Sequence, residues 1–214
     1  MDQNISRAQW AMLACIVIAL PMSGWGALYP QNTYLQIGPV VLGLPAAAWL
    51  LRRWPISNMA ALCLASFVLL HLVAARWSYS FVPYRQWLAP LGIDINATFG
   101  FHRNMFDRLV HTSFGLLMVV PIAEIAIRHM GMSRFAGLAF AVFFVFGMSS
   151  LYEIFEWLLT LTLAPNDAAA YNGEQGDIWD SQEDMACANL AALFAIWPAR
   201  AHLRRMLDSA GAPT

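Results

Sequence analysis

Six apolar blocks, each close to the roughly 20 residues a helix needs to cross a bilayer, dominate this chain of 214 residues. Hydrocarbon offers a backbone no water to bond, so such blocks fold as helices that satisfy their own peptide groups. They run over about residues 9–28, 34–51, 57–77, 107–127, 135–163 and 184–201. The expected fold class is all-α: a polytopic membrane protein of about six transmembrane helices, forming a single integral-membrane domain over residues 1–214. Composition agrees. The chain is 59% hydrophobic and 12% charged, whereas soluble domains run near half apolar and a quarter charged. The first block follows Arg7, and no small-x-small cleavage pattern closes it before Tyr29-Pro30. An uncleaved first helix is expected. The fifth block is long for one crossing, and Gly147-Met148-Ser149-Ser150 offers either a kink or an end that projects from the hydrocarbon.

All twelve basic residues are arginine. They form no basic stripe, so nucleic acid is not an expected partner; the bilayer is. Cys15, Cys63 and Cys187 fall inside apolar blocks, with neither a disulfide framework nor a zinc-ligand spacing. Placing the N-terminus in the cytoplasm puts eight arginines (7, 52, 53, 128, 134, 200, 204, 205) on that side and four (76, 85, 103, 108) opposite. Arginine excess marks the cytoplasmic side of an inner membrane, so both termini are expected inside. Trp25, Tyr29, Tyr34, Trp77, Tyr79, Trp87, Trp157 and Trp179 then make an outer aromatic belt. The loop of residues 78–106 is either an interfacial segment or a cap over that face.

Short polar groups interrupt the last three blocks. The fourth opens on Asp107-Arg108-Leu-Val-His111, with Asp107 and His111 one helical turn apart. The fifth carries Tyr152-Glu153-Ile-Phe-Glu156-Trp157. Ahead of and within the sixth, Asp177, Asp180 and Asp184 fall on one stripe if that stretch is helical. Glu153 lies about 27 Å along an outward-running helix at about 1.5 Å per residue. All three groups therefore reach the outer leaflet. Unpaired, each such acid opposes insertion by up to roughly 3 kcal/mol near a helix centre and less toward the interface. A metal ion, shared protons, or Arg103 and Arg108 must compensate.

These residues resemble the YjdF-like family of bacterial inner-membrane proteins over roughly Asp107 to Ala192, on Asp107-Arg108-x-x-His111-x-x-Phe114-Gly115, Tyr152-Glu153-x-x-Glu156-Trp157 and Gly176-Asp177-x-x-Asp180-x-x-x-Asp184-Met185. More loosely, the motif order looks like that of the VanZ-like membrane proteins linked to glycopeptide tolerance. Glu183 stands where the family pattern implies an aromatic, and Ala191-Ala192 where it implies a glycine. The resemblance implies a role in the cell envelope on the non-cytoplasmic side and names no substrate.

The expected centre is a divalent-metal site with His111, Glu153, Asp180 and Asp184 as ligands and Asp107 orienting His111. Mixed nitrogen and oxygen ligands suit zinc, manganese or iron. Glu156 or Asp177 would be the general base of a hydrolase or transferase, acting on an amphiphile such as a lipid headgroup or a polyprenyl-linked precursor. Three other accounts compete. Asp107, Asp177, Asp180 and Asp184 would suit helix N-termini without any ligand. The protein would otherwise be a non-catalytic subunit or assembly factor of a larger membrane complex, or a proton- or cation-coupled transporter. Elsewhere, Glu124 and Arg128 read as a surface ion pair, His71 as a hydrogen-bonded structural histidine, and Asn189 as an interhelical hydrogen-bonding residue.

Overall fold

Serine side chains stop three helices from fraying at their first turns. The Ser6 hydroxyl accepts from the Gln9 amide while Gln9 Oε1 accepts from the Ser6 amide, each at 3.1 Å. Ser57 and Ser133 cap in the simpler way, each accepting from the amide three residues on at 3.2 Å. The computed structural model describes residues 5–163 and 165–209; Ala164 and the ends of the expected domain, 1–4 and 210–214, lie outside them. Regular structure among the described residues is all helical: α1 (Arg7–Gly24), α2 (Pro30–Arg53), α3 (Asn58–Arg76), α4 (Tyr84–Leu88), a 3-10 turn (Ala89–Leu91), α5 (Ile95–Phe99), α6 (Phe106–His129), α7 (Arg134–Thr160), α8 (Pro165–Asn172) and α9 (Asp180–Ser209).

Five of these, α1, α2, α3, α6 and α7, are long and apolar enough to cross a membrane. Helix α9 is too polar to qualify by composition, yet it runs parallel to α6 through the same layer. Arg108 meets Asp184 near one end of the pair, and Glu124 meets His202 near the other. The intervening 16 residues of α6 span about 24 Å, most of a hydrocarbon core about 30 Å thick. About six helices therefore traverse the bundle. Their alternation leaves the start of α1, tied to the start of α3 by Gln9 Nε2 donating to the Ile56 carbonyl at 2.9 Å, at the same end as His202.

Helix α6 is the central stave, packed against α3, α7 and α9. Its contact with α9 depends on small residues: Ala188, Ala192, Ala195 and Ala199 form a fully buried stripe, and Gly115 faces it. A methyl group on Gly115 would sit 2.9 Å from Ala191 Cβ and closer still to the Ala188 carbonyl. Close backbone approach of this kind is how helices associate where lipid is as apolar as the side chains. Outward faces are apolar, with Leu42, Phe143, Leu151, Leu190 and Trp197 all more than half exposed, as contact with hydrocarbon requires. Helix α7 runs unbroken past Gly147-Met148-Ser149-Ser150 to Thr160.

Two expectations change. Glu124 is fully buried rather than a surface residue. Its carboxylate accepts from the Ser57 amide, the Ser57 hydroxyl and Arg128, each at 2.6 Å, with His202 Nε2 at 3.4 Å. It is a clasp joining the start of α3 to α6 and α9. Tyr79 leaves the aromatic belt: it is 4% exposed, and its hydroxyl donates to His71 Nδ1. His71 Nε2 in turn donates to the Gln36 carbonyl at 3.0 Å, which makes His71 the hydrogen-bonded structural residue its sequence context suggests. Asn189 Oδ1 finds no partner among the described residues.

Candidate functional site

The loop between α3 and α6 folds down as a cap. Tyr84 donates to Asn96 Oδ1 at 2.6 Å, and Asn96 Nδ2 donates to the Arg103 carbonyl at 2.8 Å. These bonds hold Arg103 over the first turns of α6 and α9. Its Nη2 donates to the Gly173 carbonyl at 2.9 Å, and Asn104 and Gln175 bond reciprocally at 2.9 and 3.1 Å. Gly173 has φ 72°, and a methyl group there would press on Ser80 Oγ and lie 3.2 Å from Asp107 Oδ2. Glycine is what this corner accommodates.

Two arginines take up four carboxylates. Arg103 Nη1 reaches Asp180 Oδ1 at 2.6 Å and Asp177 Oδ2 at 3.1 Å. Arg108, buried at 5% exposure, reaches Asp184 at 2.5 Å, Asp180 at 2.9 Å, Glu183 at 3.0 Å and Asp177 at 3.2 Å. It also donates to the Asp180 carbonyl at 3.0 Å. A planar guanidinium suits this branching geometry, which a lysine ammonium lacks. The Trp179 amide donates to Asp177 Oδ1 at 2.9 Å. That bond, with the two guanidiniums, holds Asp177 below the ordinary carboxylate range.

One layer deeper lie carboxylates that pair with no arginine among the described residues, Asp107, Glu153 and Glu156, and Asp184 reaches them from the clamp. His111 Nε2 stands 3.6 Å from Asp107 Oδ1 and 3.7 Å from Glu153 Oε1. Ligand atoms of Asp107, His111 and Asp184 all fall within 4.8 Å of one another, and all three residues are buried. Glu153 Oε1 and Asp184 Oδ1 are buried without a hydrogen-bond partner. Glu156 is buried just beyond, beside Tyr152, Asp107 and Glu153. Three tyrosines wall this side. Burial, aided by Asp107 and Glu156 at Tyr79 and by Glu156 at Tyr171, pushes both phenols up from their ordinary values, so both stay protonated and able to donate. Tyr152 lies between them, its ring edge-on to His111.

The expected ligands are thus divided. His111 and Asp184 lie together with Asp107, which sequence reading made only the orienting partner of His111, and Glu153 approaches this group through His111. Asp180 is turned to Arg103 and Arg108. Of the two candidate bases, Glu156 adjoins the cluster, whereas Asp177 belongs to the arginine clamp. Sequence reading missed Tyr79, Tyr171, Ser80 and Gly173 as parts of the site. Only Gly173-x-x-Gly176, a turn signal ahead of α9, hinted at the last.

The family described as "Predicted membrane protein (DUF2238)" matches residues 8–205. "Inner membrane protein YjdF" of Escherichia coli (strain K12) is 30% identical over 193 residues, covering 89% of this chain and 88% of that protein. The resemblance carried by the motifs of α6, α7 and α9 therefore extends across the first three helices too. No solved structure matches.

Proposed function

We propose that this chain, which belongs to the DUF2238 family of membrane proteins, holds one divalent metal ion between Asp107, His111, Glu153 and Asp184 and uses it on the polar end of a membrane lipid. The carrying observation is the pair of contacts at His111 Nε2, 3.6 Å to Asp107 and 3.7 Å to Glu153. Both exceed hydrogen-bonding distance. They approach the separation of two ligands sharing one ion, about 3.4 Å for metal–ligand bonds of about 2.1 Å in a tetrahedron. The orphaned Glu153 Oε1 and Asp184 Oδ1 supply the acceptor atoms such an ion would satisfy.

Charge supports the same reading. Asp107, Glu153, Glu156, Asp177, Asp180, Glu183 and Asp184 gather around only two guanidiniums. Buried carboxylates without compensation cost several kcal/mol each. One imidazole nitrogen with carboxylate oxygens suits zinc, manganese or iron. A bound ion would activate water or polarise a phosphoryl or acyl oxygen. Arg108 holds Asp184 so that one oxygen stays free, Glu156 would take the proton of such a water, and the Arg103 loop with Gly173 covers the site. Asp177 and Asp180 hold that cover rather than bind the ion or act as base.

Membership in a family with an E. coli inner-membrane relative supports the inner membrane as location. Arginine placement supports both termini inside, so the cluster opens toward the periplasm at headgroup depth. A C-terminal reporter active only in the cytoplasm tests the orientation. Metal analysis of the purified protein tests the centre: about one ion per chain is expected, and its loss in His111→Ala. A metal-free wild type would favour a non-catalytic subunit whose acids serve the arginine clamp, a role consistent with the four carboxylates Arg103 and Arg108 engage.

A further inference from the structure

Beside the cluster a cavity of about 820 Å³ lies between α2 and the packed helices α1, α3, α6 and α7. It is large even among small-molecule sites, which run about 300–1,000 Å³. Its walls are apolar along nearly the whole length, from Trp54 and Ile56 at the end of the bundle holding both described termini to His71 and His111 at the other. The 15 residues of chain from Ile56 to His71 correspond to about 22 Å. That length exceeds a single leaflet's share of a hydrocarbon core about 30 Å thick.

Apart from Gln9, whose amide is taken up by the Ile56 carbonyl, polar atoms collect at one end. His71, Tyr79, His111 and Tyr152 line it there, so the cavity is continuous with the acid and histidine cluster. Two further polar side chains face it unpartnered. Gln36 is 3% exposed with neither amide atom bonded, and Ser149, one turn deeper on α7 than Glu153, is 1% exposed with its hydroxyl unbonded. Buried amides and hydroxyls without partners cost about 1–3 kcal/mol each. Both offer a donor that an ester carbonyl would satisfy. A long apolar slot below donors of this kind, opening toward a charged cluster, matches an acyl ester: chain below, ester at the donors, headgroup at the top.

We infer that the cavity seats one acyl chain of a glycerophospholipid, with its ester carbonyl at Gln36 and Ser149 and its headgroup at the Asp107–His111 cluster. The headgroup half of this assignment rests on the reading of that cluster as the reactive centre. The chain half stands on the cavity alone.

The test uses the full-length protein in phosphatidylethanolamine and phosphatidylglycerol vesicles, doped with phosphatidylethanolamine carrying a diazirine at the end of one acyl chain. After photolysis, adducts are expected on Leu64, Phe114 and other cavity residues in excess over the lipid-facing Phe143, Leu190 and Trp197. Gly43 lines the cavity, and a Cβ there would meet nothing within 4 Å. Gly43→Phe should therefore fill the slot and lower cavity adducts about tenfold, while an unchanged melting temperature in detergent reports an intact fold. Adducts spread evenly over the outer face, or cavity adducts indifferent to Gly43→Phe, would overturn the inference. Cavity labelling in a metal-free protein would uphold it while sinking the metal centre. A metal-loaded protein with no cavity labelling would do the reverse.

Discussion

His111 Nε2 and Glu153 Oε1, on neighbouring helices, stand 3.7 Å apart with the Glu153 oxygen buried and unbonded. Packing has brought a nitrogen and an oxygen together without letting them bond. Ligand substitutions are the direct probe of that spacing. Glu153→Gln and Asp184→Asn should each lower metal affinity on the order of tenfold or more, the range seen when even supporting groups around a metal are lost. Asp180→Asn should leave it nearly unchanged, because Asp180 is engaged by Arg103 and Arg108. Isothermal titration with zinc and manganese checks all three. Loss of binding in Asp180→Asn alone would refute the assignment.

Arg108 binds Asp177, Asp180, Glu183 and Asp184 together. Arg108→Ala leaves Asp184, at 1% exposure, without its cation and should cost about 3–5 kcal/mol, the range for breaking a buried pair. Arg108→Lys should recover only part of that, since an ammonium lacks the planar fork. Thermal unfolding in detergent ranks the three proteins; equal melting of the lysine variant and wild type would contradict the clamp.

Gly115 presses against the Ala188 backbone, whereas a side chain on Gly147 meets nothing within 4 Å. Gly115→Ala should destabilise by about 1–3 kcal/mol through overpacking. Gly147→Ala, in the middle of α7, should be neutral or stabilise by up to about 1 kcal/mol through helix propensity. Opposite signs in paired melting curves would confirm that α6 and α9 meet backbone to backbone.

Asp177 sits below the ordinary carboxylate range in the folded protein. A depressed native value means that its stabilisation is present above the unfolded value of about 3.9 and disappears as pH falls through the native one. Asp177→Asn should therefore melt lower than wild type at pH 5 and above, and the two curves should converge below about pH 4. A gap that persists under acid would locate the role of Asp177 elsewhere than in its charge.

Much of this architecture was legible in one dimension. Block length and apolarity determined the helices, because a lipid-embedded backbone has no other way to satisfy its peptide groups. Helical periodicity alone brought Asp107 and His111 onto one face. Partnership between helices was not legible. Asp180 and Asp184 share a stripe one turn apart, yet one turns to Arg103 while the other keeps a free oxygen in the cluster. Glu124 reads as a surface partner for Arg128 until Ser57 and His202 arrive from distant segments. Spacing sets which face of one helix a side chain occupies; the close approach at Gly115 and the fold of the Arg103 loop set what that face meets. Those contacts join residues about 70 positions apart, and only the packed structure decides them.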